Sequence, residues 1–388
     1  RDFASSYPFT LLAYKFPCEK FTVLPDRSIS EILADHDNAY YFKLIGINVN
    51  LKDHLTPMPA LQYSKCTKTV NVDLDNGRIL SADYIEIYLT EVDLEIIAEQ
   101  YDFGKHICVE VHAAYKDYLP RWFTDYVFEL FRDKTLLKKS DPINYQIAKA
   151  KLNSLYGMTV QKPVPVTLNE NYITGDYEPA ETDPEEEYER YLKRKKIVLN
   201  YQIGVWVTAY AFRNLFRLGE CCDIWLYSDT DSCYGIDWNE EKIASYNNGC
   251  KELLKKNGYG CVEYDGREYW LGVAELDGEY SEFRVAGAKR YCCRSVNDQD
   301  IYIKVAGVPK VGYKALNDDI NNFNDGLIFP GQLTGKKTHT YFYKDEIEIR
   351  NGIEYGDSID LSPCDYLLSS EFKWKDLHEE TIEVNFYE

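Results

Sequence analysis

The sequence predicts an α+β protein, in which helical segments alternate with antiparallel hairpins. Three observations predict it. Asp75-Asn76-Gly77 is a hairpin turn signal between apolar-alternating flanks. Residues 201–218 read as one long, mostly buried helix, and residues 222–238 as two short strands around a tight turn.

The elements follow in chain order. Residues 66–101 read as strand, turn, strand, helix, with Thr90 as N-cap and Asp93 at the third helical position. Leu94, Ile97, Ala98 and Tyr101 then fall on one helical face. Residues 120–157 are helical by pattern except at Ser140-Asp141-Pro142, which predicts two helices. The second begins with Asp141 as N-cap and Pro142 at the first position. Residues 162–190, with the run Glu185-Glu186-Glu187, read as a solvated arm. Glu346 to Ile353 is a further hairpin with an Asn351-Gly352 turn.

The 388 residues suggest two or three domains at about 100–200 residues each. The 45% hydrophobic content argues against disorder, and no apolar run reaches the ~18–20 residues of a membrane span. Eleven cysteines without C-x-x-C, and six histidines without zinc spacing, read as free thiols in a reducing compartment, the cytoplasm.

A net charge of −20 argues at first against a nucleic-acid partner. The charge is uneven, however. Residues 170–189 carry nine acids and no Lys or Arg, and residues 315–388 carry sixteen acids and six bases. The rest is near neutral and holds two basic stretches. Residues 120–151 have seven bases against four acids, and residues 284–314 seven against two.

The most informative string is Tyr227-Ser228-Asp229-Thr230-Asp231-Ser232. Two aspartates two apart on a strand share a face, and at a tight hairpin both reach one site. Juxtaposed carboxylates repel, and a hard divalent cation removes that penalty. D-x-D alone is more often the mark of solvated turn aspartates, but here it has companions. Lys149, Asn153 and Tyr156 stand at i, i+4, i+7 in Lys149-Ala150-Lys151-Leu152-Asn153-Ser154-Leu155-Tyr156-Gly157, a polar stripe whose buried side Ile147, Leu152 and Leu155 can supply. Asp2-Phe3-Ala4-Ser5-Ser6-Tyr7-Pro8 offers another carboxylate and a Pro that extends the backbone at Tyr7. Lys289-Arg290-Tyr291 lies inside the second basic stretch.

These four strings, in this order, resemble the polymerase motifs of family B DNA polymerases. Residues 14–113 and 160–200 resemble the two insertions of the protein-primed subfamily of phages and linear plasmids. The resemblance covers residues 1 to about 345. It implies a right-hand architecture: palm at 1–13 and 201–324, first insertion at 14–113, fingers at 114–159, second insertion at 160–200, thumb and tail at 325–388. It implies a DNA-templated DNA polymerase that adds dNMPs to a primer 3′-hydroxyl with two Mg²⁺ ions, Mn²⁺ being an alternative. Asp2 and Asp231 would be metal ligands, with the Phe3 carbonyl, and Asp229 would support the site. Lys149 would contact the triphosphate, with Lys138, Lys139 and Arg132 as weaker candidates. Tyr7 would stack under the sugar and exclude a 2′-hydroxyl, and Asn153 and Tyr156 would line the nascent pair. Lys289, Arg290 and Tyr291 would hold the primer, and Lys336 and Lys337 would face the duplex. The implied partners are primer-template DNA, dNTPs and a terminal protein, with no membrane.

Two departures stand out. Ser6 occupies a position where the family usually carries Leu. The first strand is cut almost at its catalytic Asp, so it should be poorly held in a sheet. The chain therefore reads as the C-terminal polymerase portion of a longer protein with an upstream exonuclease domain. The competing reading is a non-catalytic, polymerase-derived fragment that binds nucleic acid or protein.

Overall fold

The computed structural model describes residues 1–53, 56–160, 164, 168–170, 177–179, 183–193, 201–335, 338–343 and 356–369. The 346–353 hairpin, Lys336, Lys337 and most of the 160–200 segment lie outside these residues. The chain is α+β and divides into two compact units, Arg1–Glu275 and Leu276–Glu388.

The first unit begins with β1 (Asp2–Phe3), α1 (Ser6–Ala13), β2 (Phe16–Pro17), β3 (Thr22–Leu24), α2 (Ile29–Ala34) and β4 (Asn38–Leu51). Then come β5 (Cys66–Asp75), β6 (Arg78–Thr90), α3 (Glu91–Gln100) and β7 (Tyr101–Asp117). A six-stranded antiparallel sheet runs β2-β7-β4-β6-β5, with β3 also paired to β7. Its β5–β6 hairpin turns at Asn76 (φ 44°) and Gly77 (φ 76°), two consecutive left-handed residues as the Asn-Gly signal requires. The strand period of two appears in β4, where Tyr40, Phe42 and Leu44 are buried and Tyr41 and Ile47 face outward. Thr90 and Asp93 close the expected capping box on α3.

Two long helices follow, α4 (Arg121–Ser140) and α5 (Pro142–Thr159). They break where Asp141 accepts from the Asn144 N–H and Pro142 takes the first position. The buried stripe of α5 is Ala148, Leu152, Leu155 and Thr159. Ile147 stands one position off this stripe and is 46% exposed, which corrects its expected place on the buried side. Short β8 (Leu168–Glu170) and β9 (Tyr177–Pro179) pair with each other, and α6 (Pro184–Leu192) carries Glu185–Glu187 in its first turn.

α7 (Tyr201–Gly219) is the expected buried helix. Trp206, Val207 and Tyr210 join one core with Phe9 and Leu12 of α1 and Leu152 and Leu155 of α5. Leu215, Phe216 and Leu218 join another with the six-stranded sheet. After it come β10 (Cys222–Asp229), β11 (Ser232–Trp238), α8 (Glu240–Lys256), the β12 (Val262–Tyr264) and β13 (Arg267–Tyr269) hairpin, and β14 (Ala274–Glu275). A four-stranded sheet runs β10-β11-β1-β14.

Short as it is, β1 lies inside that sheet and is paired on both sides, which corrects the expectation of a poorly held strand. Asp2 faces Ser232 on one neighbour and Glu275 on the other. The Phe3 N–H donates to the Asp231 carbonyl at 2.8 Å, and the Ala4 N–H to Val273 at 3.0 Å. The neighbours supply the ladder that strand length does not. Gly272 (φ +75°) lets this edge close on α1, since a Cβ there would meet the Phe9 ring at 2.2 Å.

The second unit has a three-stranded sheet of β15 (Tyr280–Gly287), β16 (Arg290–Ser295) and β17 (Ile301–Val305) over its own core of Cys292, Ile303, Leu316 and Phe329. It also has β18 (Ile328–Phe329), the short α9 (Gly331–Thr334), β19 (Thr338–Tyr343), β20 (Gly356–Leu361) and β21 (Tyr366–Leu367). The boundary at 275/276 thus falls inside the segment read as palm, because β15–β17 have a sheet and core of their own.

Candidate functional site

The four-stranded sheet builds the site. Asp229 pairs with Ser232, Ser232 with Asp2, and Asp2 with Glu275. Directly paired residues share a face, so these four side chains form one row across the sheet. At about 4.8 Å per strand, Asp229 stands two strands, roughly 10 Å, from Asp2. Asp231 approaches β1 differently. It sits in the turn after β10, and its carbonyl accepts from the Phe3 N–H.

Asp229 and Asp231 therefore do not share a strand face, as the two-residue spacing suggested. The turn puts Thr230 at φ 61°, and the Asp231 N–H closes back on the Asp229 carbonyl at 2.7 Å. A β-branched residue in the left-handed region is strained by about 1–3 kcal/mol. Local bonds hold it: Thr230 Oγ1 donates to Asp229 Oδ1 at 2.9 Å and Ser232 Oγ to the Asp229 carbonyl at 3.1 Å.

Tyr7 and Tyr156, from two of the other motifs, meet near this turn. The Tyr7 ring of α1 lies 4.5 Å from the Tyr156 ring of α5. Burial pushes the Tyr7 phenol above its ordinary pKa, and Tyr156, Asp231 and Asp229 push it the same way. Tyr7 of α1 is thus near both α5 and the 229–231 turn. Burial also raises Tyr156. Lys149 and Asn153 are exposed on the same helix as half-buried Tyr156, and the Lys149 ammonium lies 6.0 Å over the Tyr145 ring.

Lys134 of α4 was not singled out by any motif, yet it stands close to Glu275 and Asp2 of the row. Its ammonium donates to Ser5 Oγ at 2.8 Å. Burial lowers its pKa, the nearby Lys149 and Lys138 lower it further, and Glu275 and Asp2 oppose them. The available signal was its i, i+4 spacing to Lys138. Glu275 was likewise missed, because only the sheet register brings it beside Asp2. Of the weaker lysine and arginine candidates, Lys139 is paired with Asp265 at 2.7 Å and Arg132 lies 3.8 Å from Asp133. Lys134, Lys138 and Lys149 make no ion pair with a described carboxylate.

The carboxylates and the Phe3 main chain offer only hard oxygen donors, which suit Mg²⁺. Among the described residues, the one group of three or more His, Cys, Asp or Glu with donor atoms mutually within 4.8 Å is Cys261, Glu263 and Glu268. Asp2, Asp229 and Asp231 thus form no closed three-carboxylate cage. Mg²⁺ commonly takes only one or two protein carboxylates and completes its shell with phosphate and water.

In the second unit, Lys289 (φ +56°) occupies the tight turn into β16. Tyr291 is buried, 5.7 Å from the Phe283 ring, and directly opposite exposed Lys304. Arg290 points to the other face of the strand, where its guanidinium donates to the Ser369 carbonyl. No helix of the described residues is long and apolar enough to cross a membrane.

Residues 2–216 match the family described as DNA polymerase type B, organellar and viral. The DNA polymerase of Bacillus phage Nf is 29% identical over 208 residues, which cover 52% of this chain and 32% of that protein. That of Bacillus phage B103 is 28% identical over 207 residues, with the same coverage. The chain spans about a third of the length of these curated relatives. Among solved structures, it is similar to Phi29 DNA polymerase complexed with primer-template DNA, with TM-score 0.63 and 18% identity over 95% of this chain and 57% of that one. The complex of Phi29 DNA polymerase with primer-template DNA and incoming nucleotides gives TM-score 0.62 and 17% identity. At such identity the likeness is one of fold.

Proposed function

Because more than half of its length matches their family model, the chain belongs to the organellar and viral type B DNA polymerases, and we propose that it carries the polymerase site of a DNA-templated DNA polymerase. The carrying observation is the convergence at Tyr7. This residue packs on Tyr156, and its phenol is raised by burial first, then by Tyr156, Asp231 and Asp229.

In this reading a primer 3′-hydroxyl attacks the α-phosphorus of a dNTP, and pyrophosphate leaves. Asp2 and Asp231 would hold two Mg²⁺ ions, with the Phe3 carbonyl as a further donor and Asp229 bracing the turn. Such ions supply acidity to the hydroxyl and neutralise charge on the leaving group. The chain's own residues do the rest. Lys149 and Lys138 bind triphosphate oxygens as point charges. The Tyr7 ring, fixed against Tyr156, lies under the sugar and leaves no room for a 2′-hydroxyl. Asn153 and Tyr156 line the nascent base pair. Lys289 and Tyr291 hold the primer end through phosphate and minor-groove contacts, which position without reading sequence. Arg290 joins them at the primer and also braces their strand through the Ser369 carbonyl.

The six-stranded sheet inserted between Tyr7 and Lys149 supports a protein-primed member, whose first nucleophile is a hydroxyl of a separate terminal protein. Primer-template DNA and dNTPs are the partners otherwise. The test is extension of a primed template with Mg²⁺ and dNTPs. Asp231→Asn should abolish extension and leave the unfolding midpoint unchanged. Extension at the wild-type rate would remove Asp231 from the metal site and the polymerase reading with it.

A further inference from the structure

The strand that carries Asp2 is two residues long, so whatever braces its neighbours also sets where its carboxylate stands. On one side it lies against β11, where Asp2 faces Ser232. On the other it lies against β14, itself two residues long, where Phe3 faces Ala274 and Asp2 faces Glu275. β14 ends the four-stranded sheet, with no further strand of the described residues beyond it.

A residue in an antiparallel strand turns its N–H and C=O to the same side. Ala274 turns both to Asn247 of α8. The Ala274 N–H donates to Asn247 Oδ1 at 2.7 Å, and the Asn247 amide donates to the Ala274 carbonyl at 3.1 Å. One carboxamide thus stands where a fifth strand would pair. Ala274 is buried, so these two backbone groups need partners from the protein itself. The flanking bonds run to the first strand instead, from the Ala4 N–H to the Val273 carbonyl at 3.0 Å and from the Gly272 N–H to the Ala4 carbonyl at 2.8 Å. Neighbouring residues of α8 touch the same segments. The Tyr246 ring lies 5.6 Å from the Phe3 ring, and the Cys250 thiol donates to the Gly272 carbonyl at 3.5 Å.

We propose that Asn247 is a positioning residue of the metal site, which fixes β14 and through it the Asp2 carboxylate and the Phe3 main chain. The inference rests on the polymerase reading above. Mg²⁺ demands near-ideal octahedral geometry at about 2.0–2.1 Å. A strand left free to shift therefore loses metal affinity before the chain loses its fold.

The test is a Mg²⁺ titration of primer extension by the whole chain at saturating dNTP, together with Mn²⁺ binding in the presence of dATP, followed by electron paramagnetic resonance. Asn247→Ala should raise both the Mg²⁺ concentration for half-maximal extension and the Mn²⁺ Kd about tenfold, as loss of an outer-shell partner does. The dNTP KM at saturating Mg²⁺ should stay within about twofold of wild type. Asn247→Asp keeps an acceptor for the Ala274 N–H and loses the donor to its carbonyl. It should weaken Mn²⁺ binding severalfold, and it carries the test should Asn247→Ala fail to fold. Asp35→Ala removes a hydrogen-bonded brace that lies off this sheet. It should lower the urea midpoint and leave both metal titrations unchanged. If the folded Asn247 variants behave in the same way, Asn247 is only a brace of the fold and the proposal is overturned. A dNTP KM that rises as much as the Mg²⁺ requirement overturns it too, because the loss then belongs to nucleotide binding. If the wild-type chain with dATP binds no Mn²⁺, the metal site itself is refuted, a result distinct from a failure of Asn247 alone.

Discussion

Glu91 at the start of α3 gives a sharp test of what holds the six-stranded sheet to α7. Its carboxylate is 5% exposed. It accepts from the Tyr40 N–H at 2.9 Å, from the Trp206 indole N–H at 3.1 Å to both oxygens, and from Lys116 at 3.1 Å. Burial outweighs these partners and raises the Glu91 pKa. A carboxyl whose pKa is raised by folding is disfavoured as the anion, so its contribution falls as pH rises through the folded pKa. The charge is therefore a cost, while the acceptor oxygens are needed. Glu91→Gln keeps an acceptor for the two N–H groups, and at pH 7 it should lie within about 1 kcal/mol of wild type. Glu91→Ala leaves a backbone N–H, an indole N–H and a mostly buried ammonium without an acceptor. It should cost about 3–5 kcal/mol. Urea unfolding at pH 7, followed by tryptophan fluorescence and by circular dichroism, measures both. A Gln variant as damaged as the Ala variant would refute the ranking. An Ala variant within about 1 kcal/mol of wild type would show that the network is no tie at all.

Two further outcomes follow from other sites. Ser6 is buried and its Oγ has no hydrogen-bond partner among the described residues, so Ser6→Ala should stabilise the chain by about 1 kcal/mol in the same urea titration; a destabilised variant would reveal an acceptor for that hydroxyl. Asp35 is opposed by burial, but hydrogen bonds from the Asn38 side chain, the Tyr40 hydroxyl and the Asp37 and Asn38 N–H groups hold its pKa down to about 2. Its stabilisation is present above about pH 4 and is lost as pH falls through about 2. Partial exposure limits it to about 1 kcal/mol. Asp35→Asn should flatten the stability profile across that window, and an unchanged slope would count against the assignment.

Much of the fold was legible because its signals are local. The Asn76-Gly77 turn, the Thr90 and Asp93 capping box and the Asp141-Pro142 helix start each depend on a few adjacent residues. They hold whatever the rest of the chain does. The phase of a helix against its core is less local. Ile147 fits an apolar pattern, but α5 turns Ala148 inward, and only the neighbours of the helix settle that choice. The position of β1 is less local still. Two residues carry no strand signal, and it is β11 and β14, more than 200 positions away, that hold Asp2.

The sequence by itself determined the chemistry on offer. It supplied hard carboxylates at Asp2, Asp229 and Asp231, a cation, an amide and a phenol on one helical stripe, and basic stretches hidden beneath a net charge of −20. Motif order then pointed to a family that residues 2–216 match. Only the tertiary structure decided which of those groups meet. Strand register put Glu275 beside Asp2, the strained turn at Thr230 separated the positions of Asp229 and Asp231, and helix packing brought Lys134 to Ser5. Side-chain identity is written residue by residue, but proximity across 100 or 200 positions depends on which faces bury together, and no local pattern encodes it.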